Sequence, residues 1–175
     1  MRALADVTRI QRLMHALGAA ADADGSAHLA GGATAVLLGW RPSTIDVDIT
    51  FVPERDALLR ALPTLKETLQ INVELASPVH FIPVPTGWEE RGLFATREGR
   101  LTFYHFDLYA QALAKLERAH AQDLHDVESM LDAGLVEPER ALEYFDRIEP
   151  ELYRYPAVDP RSFRERVKRA FAGAG

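Results

Sequence analysis

Apolar residues at Val7, Ile10, Leu13, Met14 and Leu17 recur with helical spacing, which predicts an amphipathic helix from about Asp6 to Ala21. Ser26 to Leu29 reads as a short strand, and Gly31-Gly32 breaks it before the apolar run Ala33 to Trp40. Arg41-Pro42-Ser43-Thr44 reads as a turn. From Asp46 to Val52 the pattern becomes strict alternation, with Val47, Ile49 and Phe51 on one side and Asp46, Asp48 and Thr50 on the other. A period of two predicts a half-buried strand. Pro53 closes it, and helical spacing returns over Glu54 to Leu69. Ile71, Val73 and Leu75 alternate with Asn72 and Glu74, giving a further strand. Pro78, Pro83 and Pro85 break the next stretch into an irregular loop. Leu93 to Thr96 and Leu101 to Phe106 read as strands around a turn at Glu98-Gly99-Arg100.

Beyond Asp107 the pattern is helical: Leu108 to His120, Asp123 to Ala133, Pro138 to Phe145 and Arg161 to Phe171. Gly134 stops the second of these, and Pro156 and Pro160 punctuate the approach to the last. The expected fold class is therefore α+β, a mixed sheet flanked by helices with a helical C-terminal extension. A core over residues 1–106 and an extension over 107–175 packed on it is the expected division, with one single domain as the alternative.

Composition narrows the setting. With 175 residues and 47 % hydrophobic content, the chain can bury a real core. It has no cysteine, which excludes disulfides and thiolate metal sites and fits a reducing compartment. No apolar run approaches the ~20 residues that span a bilayer. Met1-Arg2-Ala3-Leu4-Ala5-Asp6 lacks the apolar stretch of a signal peptide. The expected location is the cytoplasm, away from membranes. A net charge of -6 argues against a strongly basic nucleic-acid binder. The local exception is Arg161, Arg164, Arg166, Lys168 and Arg169, which reads as a solvated helix face or as a contact to RNA.

The stretch from Gly31 to Ile49 carries the chemistry. Paired glycines at the mouth of a helix let the backbone come close to a triphosphate. Asp46 and Asp48, two apart on a strand, point to the same face. Their oxygens suit Mg²⁺, a hard cation that prefers carboxylates and phosphate oxygens. Two ions so held would activate an attacking hydroxyl and stabilise a leaving pyrophosphate. Arg41 reads as a phosphate contact or as half of a salt bridge, and Thr44 in the same turn is a further nucleotide-binding candidate.

This glycine pair, short helix and strand bearing Asp-x-Asp resembles the nucleotidyltransferase signature of the DNA polymerase β superfamily. Within it the chain is similar to small bacterial members of the minimal and toxin–antitoxin-associated kind. Lys115, Arg118, Asp123 and Asp126 resemble the Lys-x-x-Arg and Asp-x-x-Asp elements of its abortive-infection toxin-like branch. The resemblance spans roughly residues 26 to 130. It implies that Gly31 and Gly32 cradle nucleotide phosphates and that Asp46 and Asp48 ligate a two-ion Mg²⁺ site. It further implies a third carboxylate on a neighbouring strand, for which Glu74 is the candidate, where the family more often has Asp. Lys115 and Arg118 share a helix face and are candidates for the triphosphate or the base and sugar. Asp123 and Asp126 have the same spacing and would pair with them, orient the acceptor, or stand as helix-surface charges.

The expected activity is transfer of a nucleoside monophosphate from an NTP to an RNA, protein or small-molecule acceptor. A toxin–antitoxin setting with a cognate protein partner is what the resemblance suggests. The rival reading is a catalytically inactive member that binds a partner as an antitoxin does, which Glu74 in place of Asp favours. A third is an RNA-binding module built on the C-terminal basic cluster. Trp40 and Trp88 read as core or loop anchors or as base-stacking groups. His120 and His125, five apart, fall on different helix faces and do not suit zinc; His80 and His105 read as isolated. There is no Walker-type Gly-Lys-Ser/Thr loop.

Overall fold

A computed structural model describes residues 3–173. Met1, Arg2, Ala174 and Gly175, the outermost positions of the two expected parts, lie outside the described residues. The chain gathers into two compact units. One runs up to Ser77 and resumes over Gly92–Phe106; the other takes Pro78–Arg91 and the chain from Asp107 on.

The first unit contains α1 (Val7–Ala20), β1 (Gly25–Ala30), α2 (Gly32–Leu38), β2 (Asp46–Val52), α3 (Asp56–Thr68), β3 (Asn72–Leu75), β4 (Leu93–Glu98) and β5 (Leu101–His105). Asp6 starts α1 by accepting the Arg9 backbone N–H at 2.9 Å, which satisfies one donor that the helix itself cannot. The strands form one mixed sheet in the order β3-β2-β1-β5-β4. β2 runs antiparallel to β1 and parallel to β3, and β5 runs parallel to β1 and antiparallel to β4. In-register partners share a face, so the pairing sorts the side chains. Ala27, Leu29, Val47, Ile49, Phe51, Val73, Leu101 and Phe103 lie on one face, in a single buried cluster with Ile10, Leu13 and Leu17 of α1 and Leu58 and Leu62 of α3. The opposite face carries Asp46, Asp48, Thr50, Ser26, His28, Asn72, Glu74, Thr102 and Tyr104.

The second unit is helical, with α4 (Leu108–Arg118), α5 (Ala121–Asp132), α6 (Pro138–Ile148) and α7 (Pro160–Phe171). Three 3₁₀ segments join them at Pro78–His80, Trp88–Glu90 and Glu149–Arg154. Phe145 and Phe163 meet edge-to-face at 5.0 Å in its core. The whole is an α+β fold. Among the described residues no helix is long and apolar enough to cross a membrane.

Three sequence expectations change. Val7 is 40 % exposed, because it is the first residue of α1 and does not reach the core that Ile10 enters. Leu75, the last residue of edge strand β3, is 45 % exposed despite its alternation. The proline-rich loop, expected within residues 1–106, clusters with the helical unit. Arg91 explains this: its Nε donates to buried Asp107 at 2.8 Å, while its other nitrogens donate to the Pro85 and Thr86 carbonyls at 2.7 and 2.8 Å. Tyr155 adds a hydrogen bond to the Val79 carbonyl at 2.7 Å.

Candidate functional site

β2 alternates between half-buried and buried along its length, which leaves Asp46 and Asp48 half-buried side by side on the polar face. Gly31 follows the end of β1 with φ at 63°, a conformation that favours glycine. A Cβ there would lie 2.9 Å from Asp48 Oδ2. The missing side chain is therefore what lets the backbone stand directly against the carboxylate. At Gly32 a Cβ would collide with the Thr44 side chain. The glycine pair thus serves two contacts, one toward Asp48 and one toward the turn that precedes β2.

That turn is fixed from both sides. Thr44 exchanges backbone hydrogen bonds with Ala5 at 2.8 and 2.9 Å, and its hydroxyl donates to the Asp46 carbonyl at 3.0 Å. Thr44 is buried, and these contacts hold Gly32 and Asp46 in position. Arg41 is half-buried in the same turn, with its backbone N–H on the Ala35 carbonyl.

Parallel pairing of β2 with β3 sets Glu74 in register with Asp48, and Asn72 with Asp46. Glu74 is exposed and shares the carboxylates' face. Among the described residues no three His, Cys, Asp or Glu side chains are grouped so as to hold a metal ion. An all-protein cage is therefore not formed. Mg²⁺ rarely uses one: it takes one or two carboxylates and completes its shell with water and substrate phosphate. Asp48 against the Gly31 backbone, with Asp46 on the same face of β2 and Glu74 one strand away, fits that mode.

Lys115, Arg118, Asp123 and Asp126 form a separate group within the helical unit. Lys115 is buried and donates to buried Asp126 at 2.7 Å, with Asp123 at 3.9 Å. Arg118 grips Asp123 with two hydrogen bonds, at 2.9 and 2.6 Å. Asp123 also accepts the His120 backbone N–H at 3.1 Å, closing the start of α5. Burial alone would raise the Asp123 carboxyl. The hydrogen bonds and charge of Arg118, with Lys115 and the His120 N–H, hold it below the usual carboxylate range. These charges are thus not the helix-surface charges that spacing allowed; three of the four are buried, and they bind α4 to α5.

Two features of the first unit escaped the sequence reading. His105 is buried, with Nδ1 3.0 Å from the Thr34 hydroxyl, which itself donates to the Leu29 carbonyl at 3.2 Å. The single hydroxyl proton is thereby used, so His105 Nδ1 carries the proton of this bond. Burial pushes the His105 imidazolium down to about 4. His28 and Tyr104 stack on the polar face at 5.3 Å. The available signal was the alternation Ser26, His28 and Thr102, Tyr104, but only strand register puts those residues on the face that carries Asp48.

Comparison with curated proteins and with solved structures returned no match. A family model described as a nucleotidyltransferase of unknown function (DUF6036) matches residues 7–149, a span that takes in the glycine pair, β2 and the charged group of α4 and α5. The chain therefore belongs to this nucleotidyltransferase family.

Proposed function

We propose that this protein is an active Mg²⁺-dependent transferase that moves a nucleoside monophosphate from an NTP to a hydroxyl-bearing acceptor. The observation that carries the reading is Gly31 backbone set against the Asp48 carboxylate, with Asp46 beside it on β2. In the reaction the acceptor oxygen bonds to the α-phosphorus, the bond to the β-phosphate oxygen breaks, and pyrophosphate leaves as the hydroxyl proton passes to solvent or base. Asp46 and Asp48 would hold Mg²⁺, with Glu74 as a further oxygen donor, and the ion would supply Lewis-acid stabilisation of the phosphate charge. Gly31 would offer its backbone to the phosphates beside Asp48, while Gly32 lets Thr44 pack against the start of α2. Thr44 and the Ala5 bridge keep β2 in register with both glycines.

The acceptor we favour is RNA or protein, in a toxin–antitoxin setting supported by the resemblance of the Lys115-to-Asp126 stretch to abortive-infection toxins. The opposing reading, a partner-binding protein without catalysis, draws on Glu74 in place of Asp and on the absence of a three-ligand group among the described residues. Incubation with Mg²⁺ and each labelled NTP, with total tRNA and lysate protein as acceptors, separates the two. The wild type is expected to transfer label and Asp46→Asn/Asp48→Asn to transfer none. Equal labelling by that variant would overturn the proposal.

A further inference from the structure

The carboxylates occupy one end of the polar sheet face, and a row of rings crosses the same face among its hydroxyl residues. Register carries Thr50 of β2 to His28 of β1, His28 to Tyr104 of β5, and Tyr104 to Phe94 of β4. His28 and Tyr104 stack with planes 18° apart, and Phe94 meets Tyr104 edge-on, at 6.2 Å and 80°. Phe106 meets His28 edge-on at 6.3 Å. Exposure rises along this row, from buried His28 through half-buried Tyr104 to Phe94, which is 60 % exposed. A lone exposed Phe needs no explanation. Phe94, however, is the open end of a continuous row of rings. Gly92, two residues before it, maintains the close approach of the two strands, because a Cβ there would lie 2.9 Å from Tyr104 Cβ.

The row is well placed relative to the carboxylates. Asp48 pairs with Ala30, and Tyr104 pairs with His28, two residues back along β1. With strands ~4.8 Å apart and a rise of ~3.3 Å per residue, the Asp48 Cα is about 12 Å from that of Tyr104 and about 16 Å from that of Phe94, one strand further. These spans are of the order of a nucleotide's length, and the three side chains rise from the same face. Phosphates against Gly31 would leave the nucleoside to extend along the sheet toward the rings.

We infer that Phe94, braced edge-on by Tyr104, forms the stacking surface for the base of the nucleoside triphosphate. The inference rests on the nucleotidyl-transfer reading of the same face. Every base presents a π-face, so such a surface contributes affinity with little choice among bases. Phe94 has no polar atom with which to discriminate them.

Calorimetric titration of the full chain with ATP and with inorganic tripolyphosphate, both with Mg²⁺, tests this directly. Phe94 is exposed on an edge strand, so the fold is expected to tolerate its replacement. Phe94→Ala is expected to weaken ATP binding roughly 5- to 150-fold, the range for losing one stacked base. Tripolyphosphate binding should be unchanged, and Phe94→Trp should restore ATP binding. Unchanged ATP affinity in Phe94→Ala, with loss in Asp46→Asn/Asp48→Asn, would overturn the stacking surface and leave the transferase reading standing. Equal weakening of tripolyphosphate would overturn it as a general distortion of the sheet. A wild type that binds neither ligand would overturn both readings.

Discussion

Asp46 and Asp48 on β2 and Asp123 and Asp126 on α5 look alike in the sequence, two short-spaced acidic pairs, yet the fold gives them opposite surroundings. The α5 pair is buried and opposed by Lys115 and Arg118 at 2.6 to 2.9 Å. The β2 pair is half-buried beside a bare glycine backbone, and among the described residues Asp46 makes no ion pair. Carboxylates whose cations come from a neighbouring helix are committed to holding that helix. Asp46 and Asp48 stand on the same face of one strand, where a multivalent cation could draw oxygen donors from both. One pair is therefore tied into helix packing, and the other is the pair to which the proposed function assigns the metal.

The sharpest way to break this contrast is to neutralise each pair and measure both stability and transfer. Asp46→Asn/Asp48→Asn should bring transfer below detection with a smaller loss of stability than replacement of the buried α5 carboxylates causes, as thermal unfolding would show. A large loss of stability there would contradict the contrast. Asp126→Ala should instead destabilise the fold by about 3–5 kcal/mol, the usual cost of leaving one charge of a buried pair alone. Lys115→Met/Asp126→Leu should recover most of that loss in denaturant unfolding. If it does not, the pair does more than join α4 to α5.

A smaller effect separates the units by pH. The His105 imidazolium is pushed from 6.5 to about 4 by burial, so the unfolded chain takes up a proton that the folded chain refuses. The contribution of neutral His105 is full above pH 6.5, declines between 6.5 and 4, and is lost below. Its total is about 3 kcal/mol. His105→Gln should flatten this part of the stability–pH curve. Asp123, held below its ordinary value, contributes above the usual carboxylate range and loses that contribution as pH falls through its lowered value, so its decline continues in more acid solution. Smaller again, Gly32→Ala must push Thr44 aside, at about 1–3 kcal/mol for overpacking. Thr44→Ala in the same chain should relieve part of that cost, as thermal unfolding would reveal.

Much of the architecture was legible because period and punctuation agreed. β2 runs from Asp46 to Val52 as alternation predicts, and α1 begins after the cap Asp6. What lay beyond the sequence depends on pairing between distant segments. Glu74 acquires meaning only because β3 runs parallel to β2 and in register with Asp48. Helical spacing showed that Lys115 and Arg118 share a face, but not that α5 would cover it and bury Lys115. His28, Tyr104 and Phe94 come from three strands scattered along the chain and become a row only through the order β1-β5-β4. The proline-rich loop carries no periodicity, so its attachment through Arg91 to Asp107 could not be read in advance.

The most direct test of the central claim is calorimetric titration of NTP into the wild type and Asp46→Asn/Asp48→Asn, each with and without Mg²⁺. Binding by the wild type is expected to require Mg²⁺ and to be lost in the variant. Binding that is indifferent to Mg²⁺, or equal in the two proteins, would contradict it.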